Sequence, residues 1–335
     1  MTDTASPTGT ASEPVDAPDR ARSPSRGEGG PRPLHRRRGP RDRRRHEAIS
    51  AYLFLAPWFL GLIVITIGPI AASLYLSFTD YSLLAAPEWI GFDNYIRMFT
   101  EDPRFWRAVR VTFVYVFVSV PIQLAFALLL ALVLNRGVRG LAIYWSIYYL
   151  PSLLGSSVAV ALLWRQIFGT DGLVNAVLAL FDIQGQGWVS HPDYALSTLI
   201  VLNVWTFGSP MVIFLAGLRQ IPTMYYEAAA IDGAGPIARF FRITLPLLTP
   251  IIFFNLVLQV IGAFQNFTQA FIVSAGRGGP ADSTLFYTLY LYQEGFGRFN
   301  MGYASAMAWM LLMLIAALTA LQFIGSKYWV FYGDE

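Results

Sequence analysis

Residues 111–135 read VTFVYVFVSVPIQLAFALLLALVLN, a stretch of 25 residues without a charged side chain. An α-helix rises about 1.5 Å per residue, so roughly 20 apolar residues cross the ~30 Å hydrocarbon core of a bilayer. A core helix of a soluble protein needs a polar face, whereas this stretch is apolar nearly all round. It therefore predicts a transmembrane helix.

Five more uncharged stretches of at least 25 residues occur in the chain of 335 residues, and with the first they make up about half of it. They are residues 48–79, 140–164, 194–218, 243–276 and 299–326. Charged residues are only 13% of the chain, against about 25% in an average soluble domain. We predict an all-α integral membrane protein with six transmembrane helices. Their predicted bounds are about 50–79, 111–135, 141–164, 195–218, 246–274 and 301–326.

Two domains are expected from composition. Residues 1–48 are rich in Arg, Pro, Gly and Ser, with almost no large apolar residue, so we predict a disordered cytoplasmic tail. Its arginine run, residues 36–45, is expected to set the orientation and to touch anionic lipid headgroups, rather than to bind nucleic acid. Residues 49–335 are the predicted transmembrane domain.

The orientation is predicted from basic residues in the loops. With the N-terminus inside, 17 of the 24 Lys and Arg residues lie on the inner side, eleven of them in the tail. Because the short loops alone are nearly balanced, the tail carries this argument. An even number of spans then places both termini in the cytoplasm.

The predicted cytoplasmic loop, residues 219–246, has strong local signals. Pro222 is placed to begin a helix, three consecutive alanines favour it, and Gly233 is placed to end it. Such a short helix is marginal alone in water and has no bulky apolar face for a bilayer. We therefore expect it to dock on a protein partner.

The spacing in this loop resembles the signature of membrane subunits of ATP-binding-cassette (ABC) importers. The pattern is Glu-Ala-Ala, three residues, Gly, nine residues, and then Ile-x-Leu-Pro. By this resemblance, the docking element comprises Glu227, Ala228, Ala229, Asp232, Gly233, Ala234, Ile243, Leu245 and Pro246.

Shorter motifs resemble the carbohydrate-uptake branch of that family, and within it the first of two paired permeases. They are Gly91-Phe-Asp-Asn94-Tyr95, Asp102-Pro103-x-Phe105-Trp106, Tyr149-Leu150-Pro151, Gly278-Gly279-Pro280 and Met301-Gly302-Tyr303-Ala304. The Arg-rich tail and Gly235-Pro236 depart from the usual pattern.

The resemblance implies a type I importer permease in a bacterial cell membrane, carrying a sugar or oligosaccharide. The implied partners are a second permease, two ATPase subunits, an extracytoplasmic binding protein and membrane lipid. ATP and magnesium would bind the partner ATPase, so no cofactor and no metal is expected on this chain.

Polar residues in the predicted fifth helix are candidates for the substrate pathway. On a continuous helix, at about 100° per residue, Asn255, Gln259, Asn266 and Gln269 fall within about 80° of one another, and Gln265 borders this stripe. Asn203 and Trp205 in the predicted fourth helix are further candidates. Hydrogen bonding between helices would also explain such residues.

Several other function classes are disfavoured or stay open. Lys327 is the only lysine, and no phosphate-binding loop surrounds it, so the chain is not expected to hydrolyse ATP. Ion coupling normally leaves charged residues inside the membrane, which disfavours a secondary transporter. An importer permease for glycerol phosphate, polyamine, phosphate or a metal oxyanion, a passive channel, and a structural anchor stay open as alternatives.

Overall fold

The computed structural model describes residues 40–135, 141–155 and 157–331. Residues 1–39 of the predicted tail lie outside these residues. So do Arg136 and Arg139, two of the 17 basic residues predicted on the inner side. The chain divides into two units, residues 1–61 and 62–335. The described part of the first unit is helix α1, Pro40–Gly61. This helix begins about ten residues earlier than predicted. Proline is favoured at a first helical position, and arginine, despite its charge, is a good helix former.

The described part of the second unit is mostly helical. Its helices in chain order are α2 Gly68–Leu76, α3 Asp93–Thr100, α4 Pro103–Leu134, α5 Leu141–Leu154, α6 Val158–Ile167, α7 Leu173–Ala179, α8 Pro192–Trp205, α9 Gly208–Gln220, α10 Thr223–Ile231, α11 Pro236–Arg239, α12 Leu245–Phe264, α13 Thr268–Val273, α14 Tyr287–Tyr292 and α15 Met301–Trp329. Within the described residues, three π-helical segments cover Leu62–Ile67, Phe240–Thr244 and Gln293–Gly297. Two short antiparallel strands, β1 Thr79–Asp80 and β2 Glu88–Trp89, pair Thr79 with Trp89.

Five segments of the described chain are long and apolar enough to cross a membrane. They are Ala51–Leu76, Pro103–Leu134, Pro192–Gln220, Pro236–Val273 and Met301–Ser326. A sixth candidate is the pair Ser146–Leu154 and Val158–Ile167, whose axes are bent by 100°. This pair coincides with the predicted third helix, and the number of spans is six only if the pair counts as one.

Helix α4 lies at the centre of the bundle, in contact with α8, α9 and α12. Alanines alternate with large side chains on its buried face. Ala108, Ala127 and Ala131 are fully buried, and so is Tyr115. Small residues let helix backbones approach closely in a membrane, where van der Waals packing rather than hydrophobic burial holds helices together.

Two further predicted spans are interrupted. The predicted helix 195–218 is divided between α8 and α9 at Thr206 and Phe207. The freed carbonyl oxygen of Thr206 accepts hydrogen bonds from Gln123 and Ser152, at 3.2 and 2.8 Å. Side-chain amides and hydroxyls can thus replace backbone bonds inside a membrane protein.

The predicted helix 246–274 lies within one candidate span, Pro236–Val273, but its helical hydrogen bonding is interrupted once. Helix α12 ends at Phe264 and α13 begins at Thr268. Between them, the Asn266 side chain donates to Gln269 Oε1 at 2.7 Å, and the Asn266 carbonyl accepts from Thr288 at 2.6 Å. The Asn266 carbonyl thus has a partner on α14 in place of a helical one, so the break follows from polar contacts made in the packed bundle.

The ends of the spans on the predicted outer side carry a cap built from β1, β2, α3 and α14. The Asn94 amide donates to the carbonyls of Ser77 and Thr79, at 3.0 and 2.9 Å, and thereby joins α3 to the chain after α2. The short helices of this cap are α3 and α14. The strand pair was not predicted.

Candidate functional site

A polar cavity opens at the break between α12 and α13. It has a volume of about 340 Å³. Its lining brings together four predicted pathway residues, Asn203, Gln265, Asn266 and Gln269. Gly262, Ala263, Phe267 and Thr268 complete the lining. All of these side chains are uncharged, so the cavity offers amide and hydroxyl groups beside one aromatic ring.

Asn266 and Gln269 form a fixed wall of this cavity. The Asn266 amide donates to the Tyr115 hydroxyl at 2.7 Å, and Gln269 donates to the Gly155 carbonyl at 2.8 Å. Tyr115 lies on α4 and Gly155 follows α5, so this wall connects three parts of the bundle. Gln269 is buried. Both amides are therefore engaged in holding the helices together.

Asn203 forms a second wall with residues of α4. Its amide donates to Ser119 Oγ at 3.1 Å and to Gln123 Oε1 at 3.3 Å. Gln123 in turn donates to the Thr206 hydroxyl at 3.0 Å. Sequence reasoning did not select Gln123, Ser119 or Tyr115. The available signal was the occurrence of these polar residues in an otherwise apolar α4 stretch.

Gln265 differs from these neighbours. Its side chain is exposed in the cavity, and it makes no side-chain hydrogen bond to any residue of the described chain. Its backbone N–H is already engaged with Ile261 and Gly262. The side-chain amide of Gln265 is therefore free to contact a solute.

Three other predicted pathway residues do not line the cavity. Asn255 is fully buried and donates to the Ile251 carbonyl of its own helix at 3.2 Å. Gln259 lies one turn beyond it on α12. The ring of Trp205 packs 6.0 Å from the ring of Trp164, so it is part of the packing between helices. The stripe predicted for a continuous helix is divided because α12 ends at Phe264.

The predicted docking loop forms a second candidate site. Helix α10 ends in two backbone bonds, Gly233 N–H to the Ala230 carbonyl at 3.1 Å and Ala234 N–H to the Ala229 carbonyl at 2.9 Å. This is the Schellman arrangement, which places a glycine in the left-handed region. Gly233 has a φ of 73°, as its position in the sequence predicts.

Two side-chain hydrogen bonds link different parts of the loop, most of which is exposed. The hydroxyls of Tyr226 and Thr244 lie 3.0 Å apart, and Arg239 Nε donates to the Ala234 carbonyl at 2.7 Å. Ile231 at the end of α10 is 87% exposed.

The structure places the nine predicted docking residues in two groups. Glu227, Ala228, Asp232 and Gly233 are exposed, whereas Ala229, Ala234, Ile243, Leu245 and Pro246 are half-buried. The exposed members lie on α10 and at its end. The half-buried members beyond residue 240 attach the loop to α12.

Asp102 is the centre of a buried cluster at the predicted outer end. Its Oδ1 accepts the backbone N–H groups of Arg104 and Phe105, capping α4. Its Oδ2 accepts the hydroxyls of Tyr290 and Tyr303, each at 2.6 Å. Burial acts to raise the pKa of Asp102, but these hydrogen bonds outweigh it, so the pKa lies below its usual range.

Comparisons with known proteins agree with this architecture. Residues 100–327 match the family described as binding-protein-dependent transport system inner membrane component. A probable ABC transporter permease protein of Bacillus subtilis, YesP, is 53% identical over 292 residues, covering 87% of this chain and 94% of that protein. The lactose transport system permease protein LacF of Rhizobium radiobacter is 34% identical, covering 85% of this chain and 96% of that protein.

Another relative is the sulfoquinovosyl glycerol transport system permease protein SmoG of Agrobacterium fabrum, 36% identical over 82% of this chain and 89% of that protein. Among solved structures, a chain of the bacterial alginate ABC transporter in complex with its pentasaccharide-bound periplasmic protein shares the fold, with a TM-score of 0.74. It is 22% identical and the match covers 86% of this chain and 96% of that chain. The chain therefore belongs to the family of binding-protein-dependent transport system inner membrane components, as a multi-pass permease subunit of an ABC importer.

Proposed function

We propose that this permease forms part of the pathway for a neutral carbohydrate, and that Gln265 contacts the sugar. The observation that carries the proposal is the cavity at the α12–α13 break. It is lined by amides and hydroxyls without any charged side chain. Uncharged donors and acceptors suit sugar hydroxyls, since each hydroxyl both donates and accepts.

The aromatic ring of Phe267 adds an apolar surface to the same cavity. Sugar rings present apolar C–H faces beside their hydroxyls, and a cavity with one aromatic wall and several amides suits both. Relatives named for lactose and sulfoquinovosyl glycerol transport support this substrate class. A glycerol-3-phosphate permease, 31% identical, favours the alternative of a phosphorylated polyol, for which the absence of a lining cation is the counter-argument.

We propose that ATP-driven motion of a partner subunit is transmitted to the cavity through α10. Its exposed apolar side chains, Met224, Tyr225 and Ile231, lie on a helix anchored by Tyr226 to the base of α12. A partner ATPase that covered them would transmit its motion along α12 to the break at Gln265. Glu227 and Asp232 would supply acceptors for the same partner.

The proposed complex contains this chain, a second permease, two ATPase subunits binding ATP and magnesium, and an extracytoplasmic binding protein. The excess of arginine near the N-terminus supports a cytoplasmic N-terminus in a bacterial inner membrane. With that orientation α10 lies in the cytoplasm, on the side where ATP is available. The sequence pattern and the family membership support this arrangement.

The test is ATPase stimulation in proteoliposomes that hold the complex purified from its native membrane. A panel of neutral sugars, glycerol phosphate and a polyamine is added with the co-purified binding protein. We expect stimulation and uptake with a neutral sugar alone. Stimulation by glycerol phosphate or a polyamine instead would reject the substrate class, and uptake without ATP would reject the importer mechanism.

A further inference from the structure

A second cavity lies between α4 and α8, near the beginning of both helices, and it is distinct from the polar cavity described above. Its volume is about 380 Å³. One stripe of each helix lines it, at residues 107, 110, 111 and 114 of α4 and residues 192, 193, 196, 197 and 200 of α8. These spacings of three and four residues place each set on one helix face. The result is a groove that runs along the two helices.

The end of the groove nearest the helix starts is positively charged. Arg107 and Arg110 are both exposed and one turn apart. Arg110 has no ion-pair or hydrogen-bond partner among the described residues, and Arg107 makes only a 3.4 Å hydrogen bond to the Ala281 carbonyl. The acidic residue of the groove, Asp193, lies 3.7 Å from His191 Nδ1. Arg107 and Arg110 together with Asp193 give this end of the groove a net charge of about +1.

The other end of the groove is apolar. Val111 and Val114 on α4 line it together with Leu196 and Ile200 on α8. From Arg107 to Val114 the groove extends about 10 Å along the helix axis, into the charge-free part of both spans. A ligand that fills the whole groove must be anionic at one end and hydrocarbon at the other.

A third observation points to a missing polar partner. Ser283 lines the groove and is 6% exposed. Its hydroxyl oxygen is buried without a hydrogen-bond partner among the described residues. A buried hydroxyl left unpaired costs free energy, and a polar headgroup seated beside Arg107 would remove that cost.

We propose that this groove is a binding site for an anionic glycerophospholipid. Its phosphodiester group lies between Arg107 and Arg110, and one acyl chain follows Val114 and Ile200. A hydroxylated headgroup such as glycerol can donate to Asp193 as well. A soluble anion or an acidic protein surface would satisfy the arginines but would leave the apolar half of the groove unfilled, which is why a lipid is favoured.

The experiment measures lipid retention. The full chain, with the subunits that accompany it, is transferred from its membrane into nanodiscs of equal phosphatidylglycerol and phosphatidylcholine. Lipids that stay bound after release into detergent are counted by native mass spectrometry. We expect selective retention of phosphatidylglycerol, falling about fivefold for Arg107→Gln or Arg110→Gln and about thirtyfold for both.

Two further variants distinguish a lipid in the groove from a general effect of positive charge. Arg165→Gln with Arg277→Gln makes the same charge change at exposed sites that do not line the groove, and retention should stay at the wild-type level. Ser197→Trp fills the groove from an exposed position on α8 while keeping both arginines, and retention should be lost. Uptake of the transported solute by this variant shows that the chain has folded.

Several results would overturn the proposal. Equal retention of phosphatidylcholine would show that the headgroup is not recognised. Displacement of the lipid by about 10 mM inorganic phosphate, at constant ionic strength so that screening does not change, would show a soluble-anion site. Retention unchanged in Arg107→Gln/Arg110→Gln, together with weakened binding-protein association, would assign the arginines to a protein contact.

Discussion

The hydroxyl of Tyr290 donates a 2.6 Å hydrogen bond to the carboxylate of Asp102, joining residues 188 positions apart in the chain. Asp102 begins α4, the central helix, and Tyr290 lies on α14 in the outer cap. The same carboxylate oxygen accepts from Tyr303 of α15. One side chain thus holds the starts of two long spans and the cap in a common position.

Replacing Asp102 by Asn should destabilise the protein by about 1–2 kcal/mol, because hydrogen bonds to a charged acceptor are the stronger kind. Asparagine caps a helix about as well as aspartate. The lost stability is therefore attributed to the two hydrogen bonds from Tyr290 and Tyr303. The measurement is the thermal unfolding midpoint in detergent. Asp171→Asn, an exposed acid, is the control and should leave the midpoint unchanged. An equal drop in the unfolding midpoint of Asp102→Asn and Asp171→Asn would contradict the stabilising role given to the tyrosine hydrogen bonds.

Acidification should weaken the outer cap. The pKa of Asp102 is lowered in the folded protein, so its contribution is present above the unfolded pKa of about 3.9 and is lost as the pH falls through the folded pKa. Unfolding midpoints measured from about pH 5 down to about pH 2 follow this loss. The decline should be shallower in Asp102→Asn. Parallel curves for both proteins would show that another carboxylate governs the acid transition.

Gly302 should not tolerate a methyl group. A Cβ at this position would meet the carbonyl oxygen of Thr79, where the first turn of α15 crosses β1. Gly302→Ala should cost about 2–3 kcal/mol through overpacking. Gly325, further along the same helix, has open space around it, so Gly325→Ala should stabilise by up to about 1 kcal/mol. Equal effects of the two changes on the unfolding midpoint would argue against the close approach.

Gly233→Val should uncouple ATP hydrolysis from uptake. A β-branched residue is strained at a φ of 73°, and distortion of the end of α10 would move Glu227 and Asp232. Gly235 has a φ of −72° and open space around it, so Gly235→Ala is the matched control. The ratio of solute transported to ATP hydrolysed is the readout. Wild-type coupling in Gly233→Val would reject α10 as the docking element.

Two residues of the polar cavity should behave differently. Gln265→Leu removes an unengaged amide, so uptake should fall roughly five- to tenfold while the unfolding midpoint stays constant. Asn266→Leu removes the bonds to Tyr115 and Gln269, so it should lower stability as well as uptake. Gln259→Leu lies outside the cavity and should preserve both. A loss of uptake in Gln259→Leu equal to that in Gln265→Leu would restore the single-stripe interpretation.

The positions of the long helices could be predicted because a charged residue inside hydrocarbon is costly. Windows without charge therefore mark spans directly, and the bounds of α15 differ from the prediction by only a few residues. The end of α10 was predictable for a different reason. Glycine is favoured in the left-handed region, so the position of Gly233 alone indicates a helix terminus.

The polar cavity could not be predicted from periodicity. The predicted stripe assumes a straight helix, and the structure breaks that helix at Asn266 because side chains of α4 and α14 offer alternative hydrogen-bond partners. Those partners, Tyr115 and Thr288, are distant in sequence. Their proximity to Asn266 is a property of the packed bundle, and so is the inclusion of Asn203 in the same cavity.

The sequence by itself determined that the chain is an all-helical membrane protein, where its apolar spans lie and where its exposed loop helix ends. Each of these depends on local composition and backbone preference. Only the tertiary structure decided where the spans break, which polar residues are engaged and which, such as Gln265, stay free. The reason is that an amide in a membrane protein is either structural or available for a solute according to its partners, and those partners come from other helices.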